Sequence, residues 1–200
     1  MSRTVPSWLA DPVAIVIGEG AGLEAVAHEL AAAGATIARG PVVASRADAA
    51  AAIDAASAAA RDPVTLLVHA GSAGDGTRAD QLDPRAWRAG LQAGVDSGFF
   101  YAAELAQSLI AQGRPGVILF LDLPEEAGGA VQAAASGALS NLTKTLAVEW
   151  ARDGIRVNTI ASRVVAGGTR SQLRSLGALA AYLVSDYAAY ITGCVMGVDD

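Results

Sequence analysis

VIGEGAGLEAVAHELAAAGA, residues 16–35, is the stretch on which the fold turns. Upstream of it, Val13 to Ile17 form an unbroken apolar run, which reads as a strand buried on both faces. Gly18, Gly20 and Gly22 then interrupt the pattern, and Leu23, Val26, Ala27 and Leu30 recur at i, i+3, i+4 and i+7, the stripe of an amphipathic helix. Strand, glycine loop and helix follow one another within twenty residues.

Working outward, similar apolar runs recur at 64–69, 117–121, 156–160 and 194–198. Helical patterns separate them. The segment 47–60, ADAAAAIDAASAAA, is a helix by propensity. Asp83 and Pro84 ahead of Trp87 read as a cap followed by proline at the first helical position. Leu139, Leu142, Leu146 and Trp150 form another stripe. Alternating strands and helices predict an α/β fold, a doubly wound and mostly parallel Rossmann-like sheet, in a single domain spanning 1–200.

Composition narrows the function classes. The net charge of −6 and scattered arginines argue against a nucleic-acid partner. No segment reaches the roughly 18 uninterrupted apolar residues of a membrane span, and MSRTVPSWLADP lacks the apolar stretch of a signal peptide. The single cysteine, Cys194, fits a reducing cytoplasm. No metal-ligand set is expected.

The order SNLTKTLAVEWARDGIRVNTI (140–160), YITGCVMGVDD (190–200), the 16–35 stretch, LLVHAG (66–71) and Trp87 resembles the short-chain dehydrogenase/reductase family along nearly the whole chain. The resemblance implies that family's fold. It also implies positions for cofactor and catalysis, and these are unusually filled. In the glycine loop, Gly18 and Gly22 match, Gly20 adds a further glycine, and Glu24 stands where the third family glycine belongs. Bare backbone there lets a pyrophosphate approach a helix N-terminus. A carboxylate 4 Å from such a charge would oppose it by roughly 4 kcal/mol at an effective dielectric near 20. On the adenosine side, the second strand runs almost directly into PVVASRAD (41–48), leaving no room for the helix that the family places between its second and third strands. Ser45 stands where an aspartate is expected, position 39 is arginine, and no acidic residue lies between Glu29 and Asp48. Ala70, Gly71 and Asn158 complete the positions that the resemblance marks as cofactor-binding.

The catalytic set departs further. Aligned on 139–144, the family tyrosine becomes Gln132 and its lysine becomes Ser136. The asparagine maps to Gly94, and the serine to the Asp122–Leu123 region. The chain's one lysine, Lys144, lies four residues after Ser140, so no tyrosine has a lysine one turn along. General acid–base catalysis contributes about 10²–10⁴-fold, and a glutamine amide does not titrate near neutrality. The substrate lid is reduced to 162–170.

The resemblance therefore implies a chain that binds no NAD or NADP and is no enzyme by itself. It resembles the degenerate partner in heteromeric members of the family, some acting on acyl-CoA. Such a pseudoenzyme subunit would stabilise or shape a catalytic paralogue that carries the NAD or NADP. The hetero-oligomer would form through helices 95–112 and 130–152 and the C-terminal strand, with the small-residue run 133–138 allowing close approach. Two alternatives stay open. One is a weak nucleotide-binding sensor. The other is different chemistry built on His69 and Asp122, at the ends of neighbouring strands about 4.8 Å apart, with Ser72 and Ser136 as candidate nucleophiles.

Overall fold

The computed structural model describes residues 9–71, 74, 76–123, 128–162 and 168–198. Six parallel strands form one sheet: β1 (Val13–Ile17), β2 (Thr36–Gly40), β3 (Val64–Ala70), β4 (Gly116–Asp122), β5 (Ile155–Ser162) and β6 (Val195–Val198), in the spatial order β2-β1-β3-β4-β5-β6. The helices are α1 (Ala21–Ala32), α2 (Arg46–Ala60), α3 (Pro84–Leu91), α4 (Ser97–Gln112), α5 (Gly129–Glu149) and α6 (Arg170–Val184). This is the Rossmann-like architecture expected, and the predicted strands and helices fall within a few residues of the observed ones.

The apolar runs form strands because both sheet faces are covered. Every residue of β1 is buried. One face packs Ile15, Ile17, Leu67 and Phe120 under α2, α4 and α5. The other packs Val16, Val68, Leu119 and Leu121 under α1 and α6. Two helical layers bury apolar surface at roughly 25 cal/mol per Å², so strict alternation along the strands is not required.

The shortened adenosine side has a definite form. The common doubly wound order 3-2-1-4-5-6 places a further strand outside strand 2; here, among the described residues, β2 is itself the edge strand. The chain leaves β2 through residues 41–45, and α2 carries it back to β3 beside β1. Ser45 caps α2, accepting from the Asp48 amide at 3.2 Å. The shortcut is bonded to α4: Tyr101 donates its hydroxyl to the Pro41 carbonyl at 3.0 Å, and the Val43 amide donates to Ser97 Oγ at 3.2 Å. Arg46 adds contacts to Glu104 and, at 2.9 Å, to Gln107.

At the other edge, Asn158 of β5 ties in β6. Its Nδ2 donates to the Ile191 carbonyl at 2.9 Å, and its Oδ1 accepts from the Cys194 amide at 3.1 Å. Residues 163–167 of the predicted short lid lie outside the described residues; Thr169 starts α6 with a capping box to Gln172. Among the described residues no helix is long and apolar enough to cross a membrane.

Arg156 closes the far end of α6. Its guanidinium donates to the carbonyls of Leu183 (2.5 Å), Val184 (3.1 Å) and Ser185 (3.2 Å). These are acceptors the helix cannot satisfy internally. Burial lowers the Arg156 pKa, and Asp186 opposes that shift. Arg156→Leu should therefore destabilise the fold by about 2–3 kcal/mol, since bonds to a charged donor are lost from part-buried carbonyls. Urea titration of the two proteins checks this.

Candidate functional site at the carboxyl edge of the sheet

Sites in open α/β sheets form beyond the carboxyl ends of the strands, where the strand order reverses. Here the reversal falls between β1 and β3. The loop after β1 crosses the end of β3 at very close range. Gly18 has φ +109°, and a Cβ on it would lie 2.0 Å from the Ala70 carbonyl oxygen. Gly20, at φ +110°, precedes α1 with no side-chain cap, and a Cβ there would meet nothing within 4 Å. A Cβ on Gly22 would lie 2.7 Å from the Leu123 side chain. The first turn of α1 thus presents an uncapped N-terminus over a flat loop, which suits an anionic group. The residues present fit a dinucleotide's phosphates.

Glu24 does not oppose that arrangement as the sequence suggested. Its carboxylate accepts from Arg39 Nη2 at 2.7 Å, and both side chains are exposed. The arginine at the end of β2 matches the charge of Glu24. An exposed pair of this kind is worth at most about 1 kcal/mol, so it can exchange partners.

Three of the four catalytic-position residues converge. Gln132 and Ser136, one turn apart on α5, both donate to Oδ1 of Asp122 at the end of β4, at 3.0 Å and 2.8 Å. Gln132 Nε2 also reaches Ser136 Oγ at 3.3 Å. Gln132 and Asp122 are 6% and 9% exposed, so the cluster sits at the mouth of the site rather than on open surface. Asp122 is its one ionisable member. The i, i+4 spacing of Gln132 and Ser136 was legible in the sequence; that both turn toward Asp122 was not. Gly94 stays apart, in a π-turn (Gln92–Asp96) between α3 and α4, packed so tightly on Gly71 that a Cβ on Gly71 would lie 2.5 Å from its Cα. Ala70 lines the loop crossing and Gly71 packs on the Ala93–Gly94 backbone, whereas Asn158 is fully buried and structural. Ser72, a candidate nucleophile, lies outside the described residues.

The His69–Asp122 pair does not form. The His69 ring lies beside Phe120, its register partner on β4, edge-on with centroids 6.3 Å apart. Asp122 lies two residues further along and is held by Gln132 and Ser136. His69 is wholly buried against Gly98 of α4, and neither ring nitrogen has a partner. A cleft of about 270 Å³ lined by Pro12, Thr65, Arg114 and Arg156 opens at the opposite, amino end of the strands, away from this site.

Burial lowers the His69 pKa from 6.5 to about 4. The fold thus favours the neutral ring. The stabilisation is whole above pH 6.5 and is lost as pH falls from there toward 4, by up to about 3 kcal/mol. His69→Phe should flatten the pH dependence of stability across that window, measured by urea midpoints at pH 7 and 4.5.

With this geometry in hand, the similarities to known proteins are informative. A family model described as enoyl-(acyl carrier protein) reductase matches residues 12–175. Galactitol 2-dehydrogenase (L-tagatose-forming) of Cereibacter sphaeroides is 30% identical over 212 residues, covering 90% of this chain and 81% of that protein. Gluconate 5-dehydrogenase of Gluconobacter oxydans is 28% identical, covering 74% and 68%. Among solved structures, a short chain dehydrogenase from Mycobacterium smegmatis superposes with TM-score 0.83 at 20% identity, covering 100% of this chain and 97% of that one. A gluconate 5-dehydrogenase from Burkholderia cenocepacia, solved with NADP and tartrate, gives 0.78 at 24%, covering 96% of each. These relatives are named as dehydrogenases and reductases, which overturns the expectation of a chain that is no enzyme by itself. The chain belongs to the short-chain dehydrogenase/reductase family of oxidoreductases.

Proposed function

We propose that this chain is an NAD(P)-linked oxidoreductase acting on a small hydroxyl-bearing substrate, of the kind named for its galactitol and gluconate relatives. The observation that carries the reading is the loop crossing at Gly18, which leaves the N-terminus of α1 uncapped. The expectation that the cofactor is left to a partner rested on Glu24 and on the shortened adenosine side. Glu24 is paired with Arg39, and an arginine near the end of the second strand suits a ribose 2′-phosphate. The favoured cofactor is therefore NADP(H). When bound, it supplies hydride transfer. This chain's residues hold the phosphates at Gly18, Gly20 and Gly22, and Gln132 and Ser136 fix the Asp122 carboxylate. Asp122 is the group in that cluster able to take up a substrate hydroxyl proton. The single cysteine remains in keeping with a cytoplasmic setting.

Calorimetric titration tests this reading. NADP+ should bind with micromolar affinity and more tightly than NAD+. Arg39→Ala should weaken NADP+ by about ten-fold or more, through one lost charge-assisted contact, and weaken NAD+ less, through the unpaired Glu24 alone. No binding of either dinucleotide would refute the proposal.

The chain works in an oligomer with a second short-chain dehydrogenase chain. The support is the outward face of α5, small over its first turns and followed by exposed Asn141, Lys144 and Thr145. Ala133, Gly137, Ala138 and Val148 are exposed, with Ile110 on α4, and a Cβ on Gly137 would meet nothing within 4 Å. The edge strand β6 adds exposed Val195. Ala138→Arg, which places a charge that association would bury, should dissociate the oligomer at a cost of several kcal/mol, roughly 3–5. Light scattering of the co-expressed chains reads the outcome; an unchanged mass would exclude this face.

A further inference from the structure

We infer that Asp122 determines specificity, admitting neutral polyols and rejecting anionic hydroxy acids. The inference rests on the substrate class proposed above and narrows it.

Both protein donors to Asp122 are neutral, and both reach the same oxygen, Oδ1: the Gln132 amide at 3.0 Å and the Ser136 hydroxyl at 2.8 Å. None of the ion pairs among the described residues includes Asp122. An ionised carboxylate is acceptor-only and offers about four lone-pair sites on two oxygens. The donors from α5 occupy Oδ1 and leave Oδ2 without a side-chain donor among the described residues. With 9% of its surface open at the carboxyl edge of β4, Asp122 can accept from a hydroxyl brought to that edge. A substrate carboxylate at the same place has no proton to donate and meets a like charge at short range. The chain's net charge of −6 works in the same direction. Gln132 and Ser136 are positioning residues, since they touch the carboxylate and act through it.

The test is calorimetric titration of the whole chain with galactitol and with gluconate, each with and without saturating NADP+. The native chain should bind galactitol about ten-fold or more tighter than gluconate. Asp122→Asn keeps an acceptor but removes the charge, so it should bring the two ligands within about three-fold, mainly by tightening gluconate. Gluconate binding as tightly as galactitol to the native chain would overturn the inference, whether or not the variant folds. So would an unchanged ratio in a folded Asp122→Asn chain. NADP+ binding with neither galactitol nor gluconate bound would sink this inference and leave the cofactor reading standing. Galactitol binding in a chain that takes no dinucleotide would support the subsite and sink the cofactor reading.

Discussion

Where the backbone leaves β1 it passes the end of β3 at a distance no side chain allows: a Cβ on Gly18 would lie 2.0 Å from the Ala70 carbonyl oxygen. That contact lays the loop flat on the sheet edge, and much else depends on it. It brings α1 down onto the sheet, so that Leu23, Val26 and Leu30 are buried with Val16 and Val68. It leaves the helix N-terminus pointing along the edge where the strand order reverses. It also brings Gly22 against Leu123, the residue after Asp122, so that the loop and the polar cluster share one edge. A fold-defining crossing and a phosphate-binding loop are the same piece of backbone, because only glycine permits either.

The shortened adenosine side shows how a layered fold tolerates the loss of an outer unit. Each strand of a doubly wound sheet is buried by helices above and below, so the outermost strand is the one whose removal uncovers least. β2 becomes the edge, and the segment 41–45 must span from that edge to α2. Tyr101 and Ser97 hold this segment through its backbone, and Val43 is buried beneath it. Burial and the nearby Asp48 charge raise the Tyr101 pKa to about 12, so its hydroxyl remains a donor throughout the physiological range. Of the chain's tyrosines, this one serves the scaffold.

Two titratable side chains buried near the carboxyl edge, His69 and Asp122, behave in opposite ways. His69 has no partner for either nitrogen and is held neutral by burial. Asp122 has two neutral donors on one oxygen. They lie on the same sheet face, yet Phe120 and its neighbours separate them. A neutral histidine within the apolar layer tolerates isolation at a cost to acid stability; a carboxylate does not, and it is found where side-chain donors from α5 reach it.

Read alone, the sequence determined the strand and helix order, the parallel sheet, the shortened adenosine side and the substitutions at 94, 132 and 136. These follow from periodicity and spacing along the chain, which local backbone geometry obeys. It did not reveal that Glu24 is neutralised by Arg39, fifteen residues away, or that Asp122 belongs with Gln132 and Ser136 rather than with His69. Charge and hydrogen-bond partners depend on which side chains turn toward each other across elements, and a linear reading can place residues at the same edge without orienting them. Glu24 therefore read as a repulsive charge, and Asp122 as half of a pair with His69. Tertiary packing decided both, because a side chain's partner is set by the sheet face it projects from and by the helix turn that lies over it.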